Sequence, residues 1–506
     1  MSSIIPSINI FKKEPTKKLR ILFVAAEVAP FIKVGGLGEV MHSLPNALRA
    51  LGHDARVFLP KYATIDTQKF PLRPEVQGIK SLTDDSDPHD LLVSNVLRYE
   101  ENGQTIAYFL ENMEYYEKRA NVYGYVDDTT RWVLLSKGVL EFIKVSKWKP
   151  DIIVASDWQT GFVPNLLRTD YKNDPVLSKI KVIFCIHNLQ FQGLFDHHFV
   201  SEMDYDAGRA PIPAFFDPNI LKLNGMRRGI MYADLINTVS PTYAKEILND
   251  EFGEKLDDLL KERRSSLFGI LNGIDVESFN PQIDSDIVVK YSVKNLDNRS
   301  KNKIALQKRF NLALDKNKFI AGIISRMDAQ KGFDLIVEIS DALMRNIDFQ
   351  LIILGTGSNY YRGFFQDLQK KYPDRIGCHF FFDNQLPKLI LAGADTILVP
   401  SRFEPCGLVQ MEAMRYGAIP IVRKTGGLAD SVENYIPGQD KGTGFIFENY
   451  DRYAFLIAFI RASETFRDKK EWIKLMKRAM SKDFSWKKSA EEYTNLFLRA
   501  LGLQGK

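Results

Sequence analysis

Cysteine is scarce in this sequence, and the few cysteines that it has lie far apart. Cys185, Cys378 and Cys406 are odd in number and fit no zinc-ligand spacing. Their distribution argues against a disulfide framework and favours a reducing compartment.

Long apolar runs and blocks of like charge are also missing. No stretch reaches about 18 apolar residues, so we expect no membrane partner. Residues 1–18 lack the apolar region and cleavage site of a secretory signal, which predicts a cytoplasmic protein, with a plastid transit segment as the minor alternative. The net charge is +5 and the cations are interspersed with acids, so we expect no nucleic-acid partner.

What is present is enough apolar sequence for two cores. The chain has 506 residues, of which 45% are apolar and 26% charged, as is typical of soluble globular proteins. A single hydrophobic core stops growing near ~250–300 residues, so we expect two domains.

Short apolar runs alternate with helical patterns in both halves of the chain, which predicts parallel strands in two doubly wound α/β sheets. The predicted strands are 19–25, 55–59, 151–155, 181–186, 319–324, 349–354, 378–382, 396–400 and 418–422. The predicted domain plan is an extension at 1–18, a first Rossmann-like domain at 19–250, a charged linker at 251–267, a second Rossmann-like domain at 268–484 and a C-terminal helix at 485–506. Ligands bind such sheets at the carboxyl ends of their strands, so facing sheets would form one cleft.

A glycine-rich loop at 33–39 (KVGGLGE) follows the first strand. Glycines let the backbone approach an anion closely, and the next helix N-terminus attracts negative charge. The loop departs from the dinucleotide fingerprint, because Met41 stands where the last glycine belongs. A plain tight turn is the alternative reading.

Two further loops carry charged residues after predicted strands. In 325–332 (SRMDAQKG), Arg326 and Lys331 can both reach one pyrophosphate and so take the place of a metal; two solvated cations are the alternative. In 401–413 (SRFEPCGLVQMEA), Glu404 lies in a loop where its carboxylate can face a developing positive charge. Glu412 lies one turn into the next helix, where it can accept ribose hydroxyls, and a charged helix face is the alternative.

Asp157 and His187 each follow a strand of the first half directly. If these two strands are neighbours, both side chains lie on the cleft side of the first sheet. A lone histidine is more often structural, but this position favours function.

Together these motifs resemble the bacterial glycogen synthase and plant starch synthase family, in the family's order over about 400 residues. They are KVGGLGEV at 33–40, DWQTG at 157–161, IHNLQFQG at 186–193, TVSPTYAKEI at 238–247, LNGID at 271–275, SRMDAQKG at 325–332, AGAD at 392–395, SRFEPCGLVQMEAM at 401–414 and KTGGLAD at 424–430. The resemblance implies a GT-B fold with a C-terminal helix that crosses back to the first domain. It also implies a retaining glycosyltransferase that moves glucose from ADP-glucose to the 4-hydroxyl of an α-1,4-glucan or maltooligosaccharide, with no metal and no cofactor.

The resemblance also assigns roles to residues. The implied catalytic residues are Asp157, His187, Arg326, Lys331 and Glu404. The implied substrate-binding residues are Lys33, Gly35, Gly36, Glu39, Trp158, Asn188, Asn272, Cys406, Gly407, Leu408, Glu412, Thr425 and Gly426.

The chain departs from the family pattern at four places. Glu39 replaces the usual Asp, Gln159 a common His, Gln190-Phe191 a common Ala-Tyr, and Asn384 an acid. None removes a catalytic residue, so we expect an active enzyme.

Three alternatives stay open. A related enzyme that uses UDP-glucose would share the charged residues of the second half, and a phosphorylase would need a lysine that holds pyridoxal phosphate. A catalytically inactive glucan-binding homologue would keep the fold. Oligomeric state is not predicted.

Overall fold

The strands of the chain form two separate sheets. The computed structural model describes residues 17–503 except 85, 86, 88, 90, 202 and 203. The first sheet contains β1 (Arg20–Val24), β2 (Asp54–Pro60), β3 (Arg73–Leu82), β4 (Leu91–Glu101), β5 (Gln104–Glu111), β6 (Ile152–Ser156), β7 (Lys181–Ile186), β8 (Leu235–Thr238) and β9 (Leu267–Gly269). The second contains β10 (Phe319–Ile324), β11 (Phe349–Leu354), β12 (Ile376–His379), β13 (Thr396–Val399), β14 (Ile419–Arg423) and β15 (Phe445–Phe447).

Helices connect the strands and cover the sheets. In chain order they are α1 (Gly36–Ala50), α2 (Asp128–Val145), α3 (Asp157–Thr160), α4 (Phe162–Arg168), α5 (Gly225–Tyr232), α6 (Pro241–Glu246), α7 (Asp257–Glu262), α8 (Arg299–Arg309), α9 (Phe333–Asn346), α10 (Asn359–Lys371), α11 (Leu386–Gly393), α12 (Val409–Arg415), α13 (Gly426–Ser431), α14 (Arg452–Arg467), α15 (Lys469–Met480) and α16 (Trp486–Ala500). Among the described residues, no helix is long and apolar enough to cross a membrane.

The strand order of each sheet reverses once, and each reversal creates a ligand-binding crevice. The second sheet runs β12-β11-β10-β13-β14-β15 with parallel pairing throughout, which is the Rossmann order and reverses between β10 and β13. The first sheet runs β3-β4-β5-β2-β1-β6-β7-β8-β9 and reverses between β1 and β6. The loops that carry Lys33, Asp157, Arg326, Lys331 and Glu404 follow these four strands.

The central strands are apolar because both of their faces are covered. Every residue of β6 and of β11 is buried, as a parallel sheet between two helix layers requires. This is why continuous apolar runs in the sequence predicted them.

One predicted strand is displaced in the structure, and several strands were not predicted. The strand predicted at 378–382 lies at Ile376–His379, and Phe381 and Phe382 are exposed beyond its end. The antiparallel strands β3 and β4 were not predicted, because they are half exposed and lack a continuous apolar run.

The segment 251–267, predicted as a linker, has regular structure. It contains α7 and the first residue of β9, which pairs with β8 and extends the first sheet to Gly269. The charged residues of this segment concealed two fully buried leucines, Leu256 and Leu260. The remaining domain bounds stay a prediction.

The last helix contacts the first domain. α16 packs against α1 and β7. Thr494 Oγ1 lies 3.2 Å from His53 Nε2, and Asn237 donates a 2.8 Å hydrogen bond to the Tyr493 hydroxyl. The extension predicted at 1–18 lies outside the described residues except for 17 and 18, and 504–506 lie outside them as well.

Candidate active site

A buried carboxylate that was not predicted shapes the glycine loop of the first domain. Glu27 accepts hydrogen bonds from the backbone N–H groups of Val34, at 2.5 Å, and Gly35, at 2.9 Å. Tyr123 donates a third, at 3.3 Å. A Cβ atom placed on Gly36 would meet nothing within 4 Å, so the loop is open at this glycine. The open side leaves room for a ligand to approach the backbone where α1 begins.

Lys33 is paired within the same loop. Its ammonium lies 2.7 Å from Glu39 Oε2. The larger glutamate, where the family usually has aspartate, therefore reaches the lysine directly. Both charged groups also act electrostatically on the carboxyl of Glu412 in the second domain.

Asp157 joins the ends of β6 and β7. Its backbone is in the left-handed region, with φ of 56°, and its carboxylate accepts hydrogen bonds from the N–H groups of His187, at 2.7 Å, and Asn188, at 3.3 Å. Burial raises the pKa of Asp157 to about 7, the two N–H groups oppose this shift, and nearby Glu27 adds to it. The two strands are neighbours in the sheet, which is the condition under which both side chains were expected on its cleft side.

The imidazole of His187 has an unused polar atom. Its Nε2 is buried and has no hydrogen-bond partner among the described residues. Burial also lowers the pKa of His187 to about 4, so the ring is neutral at physiological pH. A neutral ring with a free nitrogen can donate to or accept from a sugar hydroxyl.

Lys331 and Glu404 meet at the crevice of the second sheet. The ammonium lies 2.6 Å from Glu404 Oε2, which also accepts a 3.0 Å hydrogen bond from Ser401. The close approach of their loops requires Gly332, at φ of 73°, because a Cβ atom there would lie 2.0 Å from the Pro400 carbonyl oxygen. A cation and a carboxylate thus lie where the strand order reverses.

Arg326 lies in the loop that carries Lys331, but it is not paired with Glu404. Its guanidinium lies 3.4 Å from Asp328, and 67% of the side chain is exposed. Its long side chain is therefore free to turn towards an anion in the cleft.

The loop that follows Glu404 packs closely on the start of α13. A Cβ atom on Gly426 would lie 1.9 Å from the Glu404 carbonyl oxygen, and one on Gly427 would lie 2.0 Å from that of Cys406. Gly407 is left-handed, with φ of 67°, and Leu408 precedes the first residue of α12. These glycines are needed for close backbone packing.

Glu412 links the two halves of the site electrostatically. Burial raises the pKa of its carboxyl to about 7, while the Lys33 ammonium lowers it and the Glu39 carboxylate raises it. Lys33 and Glu39 follow β1, whereas Glu412 lies on α12. The glycine loop of the first domain therefore faces α12 of the second.

Direct hydrogen bonds also join the domains. Ser240 donates to the Pro405 carbonyl oxygen at 2.7 Å. The carboxylate of Glu246 accepts from Thr425 Oγ1 at 3.0 Å and from the Gly426 N–H at 3.0 Å. The two groups predicted to bind substrate at Thr425 and Gly426 thus donate to a protein carboxylate in this structure.

Three predicted residues are held mainly by packing. Trp158 is 6% exposed and stacks edge-on against Trp132. Asn272 is buried, and its Oδ1 has no partner among the described residues. Burial raises the pKa of the Cys406 thiol to about 12, so it remains protonated.

Comparison with known proteins places this site in a family. Residues 20–262 match the family model of the starch synthase catalytic domain, and residues 305–477 match that of group 1 glycosyl transferases. A glycogen synthase from Thermotoga petrophila is 40% identical over 96% of this chain and 100% of its own. One from Clostridium botulinum is 42% identical over 95% and 99%.

The chain belongs to the glycogen and starch synthase family. It is therefore a glycosyltransferase with a nucleotide-sugar donor and a glucan acceptor. The catalytic domain of starch synthase IV from Arabidopsis thaliana, solved with ADP and acarbose, superposes with a TM-score of 0.81 at 31% identity, over 96% of this chain and 100% of that one. A sucrose-phosphate synthase from Thermosynechococcus elongatus superposes at 0.57 with 18% identity over the same shares and shares the GT-B fold. The predicted fold class is confirmed.

The raised pKa of Asp157 predicts how the stability of this synthase depends on pH. Between pH values of about 4 and 7, the folded protein holds a proton at Asp157 that the unfolded chain has released. This contribution to stability is complete below the ordinary pKa of 3.8 and is lost as the pH rises through about 7. We expect Asp157→Asn to raise the melting temperature relative to the wild type more at about pH 8 than at about pH 5.

Asp297→Asn, at an exposed carboxyl, controls for the loss of one negative charge. If the difference in melting temperature between Asp157→Asn and the wild type does not change with pH, the pKa of Asp157 is not raised in the folded protein.

Proposed function

We propose that this synthase transfers glucose from ADP-glucose to the 4-hydroxyl at the non-reducing end of an α-1,4-glucan, with retention of configuration and without a metal. The observation that carries the proposal is the 2.6 Å pair of Lys331 and Glu404 at the crevice of the second sheet. The complex of the plant starch synthase with ADP and acarbose supports a donor with adenine and an acceptor made of glucose-like units.

The charges at this crevice suit a departing diphosphate. When the donor binds, Lys331 turns from Glu404 towards the phosphates, and the exposed Arg326 reaches them from the same loop. Two protein cations offset the negative charge that develops on the leaving ADP, which is the role a divalent ion has in other transferases. The open backbone at Gly36 and the loop at 406–408 add N–H groups on either side.

Glu404 faces the other charge of the transition state. As the bond between C1 and the phosphate oxygen stretches, positive charge builds on the glucosyl ring, and a buried carboxylate stabilises it. Glu404 is held by Lys331 and Ser401, so we assign it an electrostatic role and no covalent one. The acceptor hydroxyl then attacks from the face that the phosphate leaves, and a phosphate oxygen takes its proton, so configuration is retained.

The first domain holds the sugar and excludes water. His187 presents its free Nε2 to a hydroxyl of the glucose, and Asp157 fixes the backbone that carries His187 and Asn188. Glu412 accepts the ribose hydroxyls. The contacts between Ser240 and Pro405 bring the domains together, so that water, whose attack would release free glucose, is kept out.

Removal of either member of the pair should abolish most turnover. We expect Lys331→Ala and Glu404→Gln each to lower kcat at least about a hundredfold, the scale of one transition-state contact. The measurement is ADP release in the presence of a maltooligosaccharide. Lys370→Ala, at an exposed lysine of α10, should keep the wild-type rate.

The melting temperature of each variant separates a catalytic loss from unfolding. Near-normal kcat in Lys331→Ala would place the diphosphate elsewhere in the cleft.

The choice of donor is tested by measuring rates with ADP-glucose and UDP-glucose side by side. We expect kcat/KM to be at least about tenfold higher with ADP-glucose, a difference of about 1.4 kcal/mol.

Addition of Mg²⁺ to chelator-treated enzyme should change the initial rate less than about twofold, because protein cations neutralise the diphosphate. A higher rate with UDP-glucose would contradict the proposed donor, and strong stimulation by Mg²⁺ would contradict metal independence.

A further inference from the structure

Four polar side chains outside the active site converge between two loops. Asp196, His197 and His198 follow β7 and each offer a ligand atom within 4.8 Å of the others, and among the described residues they are the one group of this kind. Glu254, which precedes α7, completes the cluster. Its Oε2 lies 2.8 Å from His197 Nε2 and 3.2 Å from His198 Nε2.

From this geometry we propose that His197, His198 and Glu254 bind a divalent transition-metal ion of the zinc type. Both imidazoles direct the same ring nitrogen towards one carboxylate oxygen. Ligand bonds of about 2.0–2.1 Å in a tetrahedral site place neighbouring ligand atoms roughly 3.3 Å apart. The separation from His198 fits this value, and that from His197 needs to open by only about half an ångström.

Asp196 gives His198 the arrangement usual for a metal ligand. Its carboxylate lies 3.0 Å from His198 Nδ1, so that nitrogen donates and the lone pair of Nε2 is left for the ion. The two histidines differ in solvent exposure. His197 is 4% exposed, whereas half of the His198 side chain is accessible, which gives the ion a route in.

The surrounding backbone is already held in place for such a site. Glu254 and Lys255 are both left-handed, with φ of 49° and 60°, a conformation that costs energy for residues other than glycine. Gln192 donates a 2.7 Å hydrogen bond to the Glu254 carbonyl oxygen, and Lys255 donates a 2.9 Å bond to that of His198. The ion would fasten the loop after β7, which begins with His187, to the segment before α7.

The alternative is hydrogen bonding without a metal. In that case both imidazoles, whose ring centres are 4.1 Å apart, would direct an Nε2–H group at the same oxygen of Glu254. A bound ion replaces the two protons with one centre that all three groups can share. The inference does not depend on the donor or on the catalytic step.

The test is zinc binding by the full-length protein, measured by competition with a chromophoric chelator and ZnCl2 as the probe. We expect one tight site in the wild type. His197→Ala, His198→Ala and Glu254→Gln should each weaken binding at least tenfold, and Asp196→Ala about tenfold, as expected for a group that orients a ligand. His89→Ala, at an exposed histidine outside the cluster, should bind as the wild type does.

X-ray absorption at the zinc edge of the wild type gives a second measurement that does not depend on the folding of any variant. It should show imidazole nitrogen and no sulfur. Absence of a tight site, sulfur ligation from the cysteines, or wild-type zinc affinity in both His197→Ala and His198→Ala would overturn the proposal.

Discussion

The pairing of Lys331 with Glu404 is the interaction on which the candidate site depends. Both groups lie at the carboxyl ends of β10 and β13, the two strands between which the order of the second sheet reverses. Removing one partner of a buried pair leaves an uncompensated charge, which costs about 3–5 kcal/mol when burial is complete. A diphosphate that takes over the lysine leaves Glu404 to face a developing cation. The pair thus stabilises the site when no donor is bound. During transfer, its two members stabilise opposite charges.

A second constraint is the way the domains contact each other through polar atoms. Glu246 of the first domain accepts hydrogen bonds from Thr425 and Gly426 of the second, and Thr242 Oγ1 donates a 2.6 Å hydrogen bond to Asp430. Burial raises the pKa of Glu246, while the N–H of Gly426 opposes the shift. Polar contacts of this kind can be exchanged for water at moderate cost, which suits domains that must open to release product. If Thr425 and Gly426 bind substrate, Glu246 must withdraw first.

Sequence reasoning identified the parts of the candidate site that lie in the loops after parallel strands. Asp157, His187, Lys331 and Glu404 could be predicted because a short apolar run followed by a polar residue marks the cleft edge of a sheet, and the family resemblance supplied their roles. The structure places Asp157 beside His187 and Lys331 beside Glu404.

Sequence reasoning missed residues that belong to the candidate site only through their contacts. Their spacing in the sequence does not reveal these contacts. Glu27 lies among apolar residues and looks structural until its contacts with the glycine loop are seen. Glu246 contacts residues about 180 positions away. The acids and lysines of 251–267, the segment predicted as a linker, concealed the buried Leu256 and Leu260. Half-exposed antiparallel strands such as β4 gave a weaker pattern than the buried parallel ones.

The most direct test of the central claim is a crystal structure of this synthase with ADP bound. The account predicts both phosphates between the loops 325–332 and 404–408, with Lys331 Nζ about 2.7–2.9 Å from a phosphate oxygen and no longer bonded to Glu404. Phosphates bound elsewhere, with the pair of Lys331 and Glu404 intact, would contradict it.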